Sequence, residues 1–127
     1  MTGRQRPAAE RALSERRGRW AEAWVGVLLS YRGYRVIARR YRSPYGEVDL
    51  IASGHGQLRF VEVKFRRNYS PDQLDQILPT PAARQRIHRT ALHYLAHNPH
   101  NDDITLHIDV VIINRFGRAE WFRDAWF

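Results

Sequence analysis

Four polar side chains stand at alternate positions in two short apolar stretches. Glu47 and Asp49 lie in Glu47–Ser53 (EVDLIAS), and Glu62 and Lys64 lie in Leu58–Arg66 (LRFVEVKFR). Between them runs Gly54-His55-Gly56-Gln57, a turn sequence. If both stretches are strands, residues i and i+2 share a face. With 54–57 as the loop, Ser53 pairs with Leu58, so Asp49 falls opposite Glu62 and Glu47 opposite Lys64. A slip of one residue would set Asp49 against a valine, so the register is strict. The four polar groups then converge on one face of a hairpin, and Val48, Leu50, Val61 and Val63 form a core surface on the other.

Two carboxylates opposed across a strand pair repel each other. Strands lie about 4.8 Å apart, close enough for both carboxylates to reach one cation. A hard divalent ion, Mg²⁺ or Mn²⁺, turns that repulsion into ligation. Lys64 beside it suits the orientation or deprotonation of an attacking water, or the stabilisation of charge on a phosphate. The plainer alternative is a solvated hairpin face with a Glu47–Lys64 cross-strand pair. Composition weighs against that alternative. Lys64 is the only lysine among 21 basic residues. A chain that otherwise uses arginine throughout has kept one compact, titratable amine at this position.

The surrounding elements must hold this hairpin in place. Ser14 suits a helix N-cap, with Trp20, Trp24, Val27, Leu28 and Tyr31 at helical spacing and Gly33 as the stop. Tyr34–Tyr41 reads as a first strand and 42–46 (RSPYG) as a turn. Residues 68–81 read as a proline-rich loop with room for a helical turn, Ala82–His97 as a second helix and Leu106–Asn114 as a buried strand, with Ala119–Phe122 as a further edge strand. The order α-β-β-β-α-β, with or without the last strand, predicts an α/β domain with a mixed β-sheet flanked by helices. A single domain over 15–127 is expected, preceded by a flexible basic arm at 1–14.

Net charge is +8 with no cysteine, so disulfides and thiolate zinc sites are excluded and a polyanionic partner is expected. No apolar run is long enough to span a bilayer and no secretory signal is legible, so the expected location is the cytoplasm, away from membranes. Arg39, Arg40, Arg42, Arg66 and Arg67 flank the hairpin and suit phosphate contacts on either side of it. Arg84, Arg86 and Arg89 offer a second basic face on the second helix, equally readable as solvated surface. His93 and His97, four apart, lack a convincing third zinc ligand. Asp109, in an apolar strand, reads as a buried, paired structural acid.

GEVDLIA followed by FVEVKFR resembles the signature of the YraN-type uncharacterised protein family (UPF0102). That family is similar to the archaeal Holliday-junction resolvases among the restriction-endonuclease-like, PD-(D/E)xK nucleases. The resemblance runs from about Gly18 to Asp109 and includes Gly18-Arg19-Trp20-Ala21-Glu22, Tyr34, Arg42 and the Asp109-Val110-Val111 strand. Arg40 departs from it, since the family usually has asparagine before the Tyr-Arg pair. The resemblance implies a restriction-endonuclease-like fold. It also implies Asp49 and Glu62 as Mg²⁺ ligands, the Val63 carbonyl as a further ligand, Lys64 as the catalytic lysine, and Glu22 as a first-helix carboxylate reaching the metal. A nuclease acting on DNA rather than RNA follows as the expectation, with branched DNA as a candidate substrate and a homodimer as a candidate assembly. An inactive nucleic-acid-binding module is the alternative.

Overall fold

The computed structural model describes residues 7–125. Helix α1 (Ala8–Tyr31) begins directly after Pro7, and Ser14 lies inside it rather than capping it. Alanine, glutamate and arginine dominate residues 8–17 and are strong helix formers, so propensity carries the helix past the serine. Residues 8–14, expected in the basic arm, are therefore its first two turns; residues 1–6 of that arm lie outside the described residues. Gly33, at φ 85°, ends the helix by taking the left-handed conformation.

The chain then forms strands β1 (Arg35–Ser43), β2 (Gly46–Gly54) and β3 (Gln57–Phe65), a 3-10 turn at Pro71–Gln73, helix α2 (Leu74–Ile77), helix α3 (Pro81–His97), and strands β4 (Thr105–Ile113) and β5 (Ala119–Phe122). Thr80 caps α3, its side chain accepting from the Ala83 amide at 3.2 Å, and Pro81 occupies the first turn where no amide is needed. The five strands lie in sequence order in one sheet. β3 and β4 are parallel and the other neighbours antiparallel. The expected α/β fold with a mixed sheet and a final edge strand is thus present.

The two faces of the sheet carry separate cores. Ala21, Val25 and Leu29 of α1 pack with Leu50, Val61 and Val111. Ile87 and Ala91 of α3 pack on Ile51, Phe60 and Ile108 on the other side. Among the described residues, no helix is long and apolar enough to cross a membrane.

Ser53 pairs with Leu58 as the parity argument requires, but Gly54 and Gln57 also pair, so the loop tightens to His55-Gly56. Both have positive φ, 54° and 70°, as a two-residue type I′ hairpin demands. The tip sits on the turn that ends α1: a Cβ on Gly54 would lie 2.6 Å from the Gly33 carbonyl oxygen.

The expected alternation fails at one step. The β1–β2 register slips between Val36 and Ala38, and Arg40 adopts φ 51°. Arg39 pairs with Leu50 and Tyr41 with Val48, while Arg40 and Asp49 are left out of the register. A left-handed residue breaks the regular side-to-side alternation of a strand. Val48, expected on the same face as Leu50, Val61 and Val63, is consequently buried in the α3 core beside Tyr41. Leu50, Val61 and Val63 remain on the α1 face.

Candidate active site where two strands part

The β2–β3 register ends at Leu50↔Val61, so Asp49 and Glu62 are not ladder partners as the ideal hairpin placed them. The strands separate there, and a side chain takes the place of the next main-chain partner. Asp49 Oδ2 accepts a hydrogen bond from the Val63 amide at 2.7 Å. An extended residue presents its N–H and C=O to the same side. The Val63 carbonyl therefore faces the same gap.

Glu62 meets Asp49 in this gap. Burial pushes the Glu62 carboxyl up to about 9; its hydrogen bond to Asp49, the Asp49 charge and that of Glu47 push the same way, while Lys64 opposes. Burial and the neighbouring acids thus favour the protonated form of Glu62. The Lys64 amine lies 3.8 Å from Glu62 Oε2, with its side chain one-third exposed. The expected convergence of Asp49, Glu62 and Lys64 is present, produced by a parting of strands rather than by continued pairing.

Glu47 differs from the ideal hairpin. It is exposed and pairs with Arg42 at 2.9 Å rather than standing opposite Lys64. Glu22 projects from α1 toward the same region, but its carboxylate is engaged by Arg40 Nε at 3.0 Å. Arg40 is attracted by Glu22 first, then by Glu47 and Asp49, which sets its guanidinium between the first helix and the carboxyl gap. Its left-handed backbone stands opposite Asp49, at the step where the β1–β2 register has no pair.

The donor set fits a hard cation in kind. Among the described residues, no group of three His, Asp or Glu side chains forms a metal cluster. Two neighbouring carboxyls, with a main-chain carbonyl alongside, nonetheless offer three oxygen donors. Mg²⁺ commonly takes one or two carboxylates and keeps several waters. A divalent charge at this gap would relieve the repulsion between Asp49 and Glu62 that helps to raise the Glu62 carboxyl.

The other basic residues divide. Arg39 lies against α1 at Gly26, where a Cβ would come within 3.1 Å of its Nη2. Arg66 and Arg67 are exposed directly beyond β3. Arg84, Arg86 and Arg89 are exposed on α3, Arg84 donating to the Pro79 carbonyl and Arg89 standing 5.9 Å from the centre of the Tyr45 ring. His93 bonds Tyr41 at 2.6 Å and stacks on His97 at 4.1 Å, an arrangement of packing and hydrogen bonding.

The sheet also holds a buried ion pair whose basic partner the sequence reading missed. Arg59 Nη1 donates to both Asp109 oxygens at 2.9 Å, and Asp109 also accepts from Trp121 Nε1 and the Asp124 amide. Asp109 is the paired structural acid expected of it. The signal for Arg59 was its parity: it alternates with Val61 and Val63, on the core side of β3.

Comparison with known proteins places the chain. The model of the uncharacterised protein family UPF0102 matches residues 21–113. A UPF0102 protein of Rhodopseudomonas palustris strain BisB18 is 42% identical over 108 residues, covering 84% of this chain and 76% of that one. One from strain BisA53 is 38% identical over 109 residues, covering 84% and 80%. Another, from Synechococcus sp. strain JA-3-3Ab, is 33% identical over 114 residues, covering 90% and 86%. Among solved structures, that of Pyrococcus furiosus SfsA in complex with Ca²⁺ aligns at 12% identity with a TM-score of 0.31, over 87% of this chain and 63% of that chain, too distant to carry an argument. With most of its length inside the family model, and with relatives at this level of identity, the chain belongs to the uncharacterised protein family UPF0102.

Proposed function

We propose that this protein is a divalent-metal-dependent nuclease that hydrolyses phosphodiester bonds in DNA, with branched or otherwise structured DNA as the favoured class of substrate. The observation that carries the reading is the meeting of Asp49 and a buried Glu62 beside the chain's only lysine, at the point where β2 and β3 part. Resemblance to the PD-(D/E)xK nucleases supports the same residues. Asp49, Glu62 and the Val63 carbonyl would hold Mg²⁺ or Mn²⁺. A cation bound there supplies Lewis acidity to a phosphate and lowers the pKa of a water. The Val63 amide fixes the Asp49 carboxylate against β3, so its position is set before any ligand arrives. The Lys64 amine neutralises negative charge developing on the phosphate and orients the attacking water. The flanking arginines, Arg42, Arg66 and Arg67, hold the polyanion in place.

The test is a panel of linear, single-stranded, flapped and four-way DNA incubated with Mn²⁺. Cleavage by the wild type, abolished in Lys64→Ala and Asp49→Ala with DNA affinity retained, supports the reading. Absence of cleavage on every substrate overturns it. A second reading, a nucleic-acid-binding module without turnover, is favoured by the Arg40–Glu22 ion pair, which occupies the first-helix carboxylate. It predicts salt-dependent DNA affinity with no cleavage under any metal.

A further inference from the structure

Helix α1 carries a second apolar stripe that the sheet leaves uncovered. Leu13, Trp20, Trp24, Val27 and Tyr31 are all exposed, while Ala21, Val25 and Leu29 face the core. Where the stripe meets the end of β3, Trp20 stands edge-on to Phe65, with ring centres 6.1 Å apart and planes at 81°. The Arg17 guanidinium lies 5.9 Å from the centre of the Phe65 ring. With Leu13, Arg16 and Arg115 these residues enclose a groove of about 360 Å³. Its floor is apolar and its rim cationic. Beside it Phe116 is 79% exposed, with the Arg115 guanidinium 4.7 Å from its ring centre.

The charge selects the occupant. A second copy of a chain at +8 would bring its own arginines against this rim. An anion carrying flat, weakly polar rings satisfies both floor and rim. Nucleobases stack on aromatic side chains while arginines follow the backbone, and only an unpaired base exposes its faces for this. We propose that the groove receives an unpaired base of a single-stranded nucleic-acid segment, stacked against Trp20 and Phe65, with the adjoining phosphates held by Arg16, Arg17 and Arg115. Phe65 follows Glu62 by three residues, roughly 10 Å along the strand. Three residues is an odd step, so Phe65 faces α1 while Glu62 faces the other side of the sheet, and the groove is a contact separate from the carboxyl gap. The inference rests on the nucleic-acid partner of the proposed function and is independent of turnover.

Fluorescence anisotropy in EDTA tests it, with labelled oligo(dT) and a duplex of equal length as probes. Trp20→Leu keeps an apolar side chain over Phe65 and removes the stacking face; it is expected to weaken oligo(dT) binding about tenfold and leave duplex binding unchanged. Arg115→Ala, in an exposed turn, is expected to weaken oligo(dT) severalfold and flatten the salt dependence, providing a second readout should the helix variant melt early. Unchanged oligo(dT) affinity in both variants overturns the proposal, as does equal weakening on the duplex. A dimer that Trp20→Leu dissociates, with oligo(dT) affinity intact, overturns it in favour of contact between copies. If the wild type binds neither probe, the nucleic-acid reading falls with it. Trp20-dependent oligo(dT) binding without Mn²⁺ cleavage supports the groove and removes only the catalytic reading.

Discussion

The Val63 amide donates to Asp49 Oδ2 at 2.7 Å, one step beyond the last ladder pair of β2 and β3. A carboxylate thus does the work of a main-chain acceptor, and a prospective metal ligand is part of the sheet. Asp49→Asn keeps an oxygen for this bond and removes the charge. It is expected to fold normally and lose metal binding, whereas Asp49→Ala also strands the Val63 amide and lowers stability by about 1–3 kcal/mol. Urea denaturation of the two variants separates these effects.

Metal binding should be visible as stability. At one hundred times its Kd, Mg²⁺ or Mn²⁺ adds about 2.7 kcal/mol to a protein that binds it only when folded, which raises Tm by roughly 10 °C for a domain of this size. Differential scanning fluorimetry should register this for the wild type and neither for Asp49→Asn nor for Glu62→Gln.

The metal-free protein should lose stability as pH rises. Folding raises the Glu62 carboxyl from 4.5 to about 9, chiefly by burial. The native state therefore binds this proton more tightly than the unfolded chain. Its contribution is fully present below about 4.5 and is lost progressively as pH rises toward 9. Thermal melts in EDTA across that range should show a falling Tm, and Glu62→Gln, which copies the neutral form, should flatten the profile.

Lys64→Arg preserves the charge and should not preserve activity. Arginine replaces a compact amine with a planar fork that cannot shed its proton at working pH. A fall in kcat of about 100-fold or more is expected, with DNA affinity kept, as measured by single-turnover cleavage in Mn²⁺.

The Arg59–Asp109 pair is a separate, structural commitment. Removing one partner leaves a buried charge uncompensated, so Asp109→Ala should cost about 3–5 kcal/mol. Pairing it with Arg59→Met should recover much of that loss. Denaturant titration of the single and double variants measures the coupling.

The sequence carried the hairpin well because its information is local. Ser53 and Leu58 pair whether the loop holds four residues or two, since both lengths have the same parity. Asp109 was legible as a charge in an apolar strand. Arg59, in contrast, finds that acid only through the parallel pairing of β3 with β4, across 50 positions of chain. The left-handed Arg40 was not legible, because arginine has no preference for that conformation and only the packing of β1 against α1 and β2 requires it. Its consequences, Val48 turned to the α3 core and Glu22 engaged by a guanidinium, were hidden with it. Ser14 misled because a good cap is outweighed by several strong helix formers before it.

The slip at Ile37 and the kink at Arg40 have a consequence at the rim of the molecule. Among the described residues, β1 is an outermost strand of the sheet. A flat free border of that kind invites foreign chains to zip onto it. Here the border is bent twice within nine residues and bristles with Arg35, Arg39, Arg40 and Arg42. The kink that leaves Arg40 and Asp49 out of the register, with the slip beside it, also makes this border a poor template for a sixth strand, so the same irregular stretch bears on a prospective reaction and on resistance to aggregation.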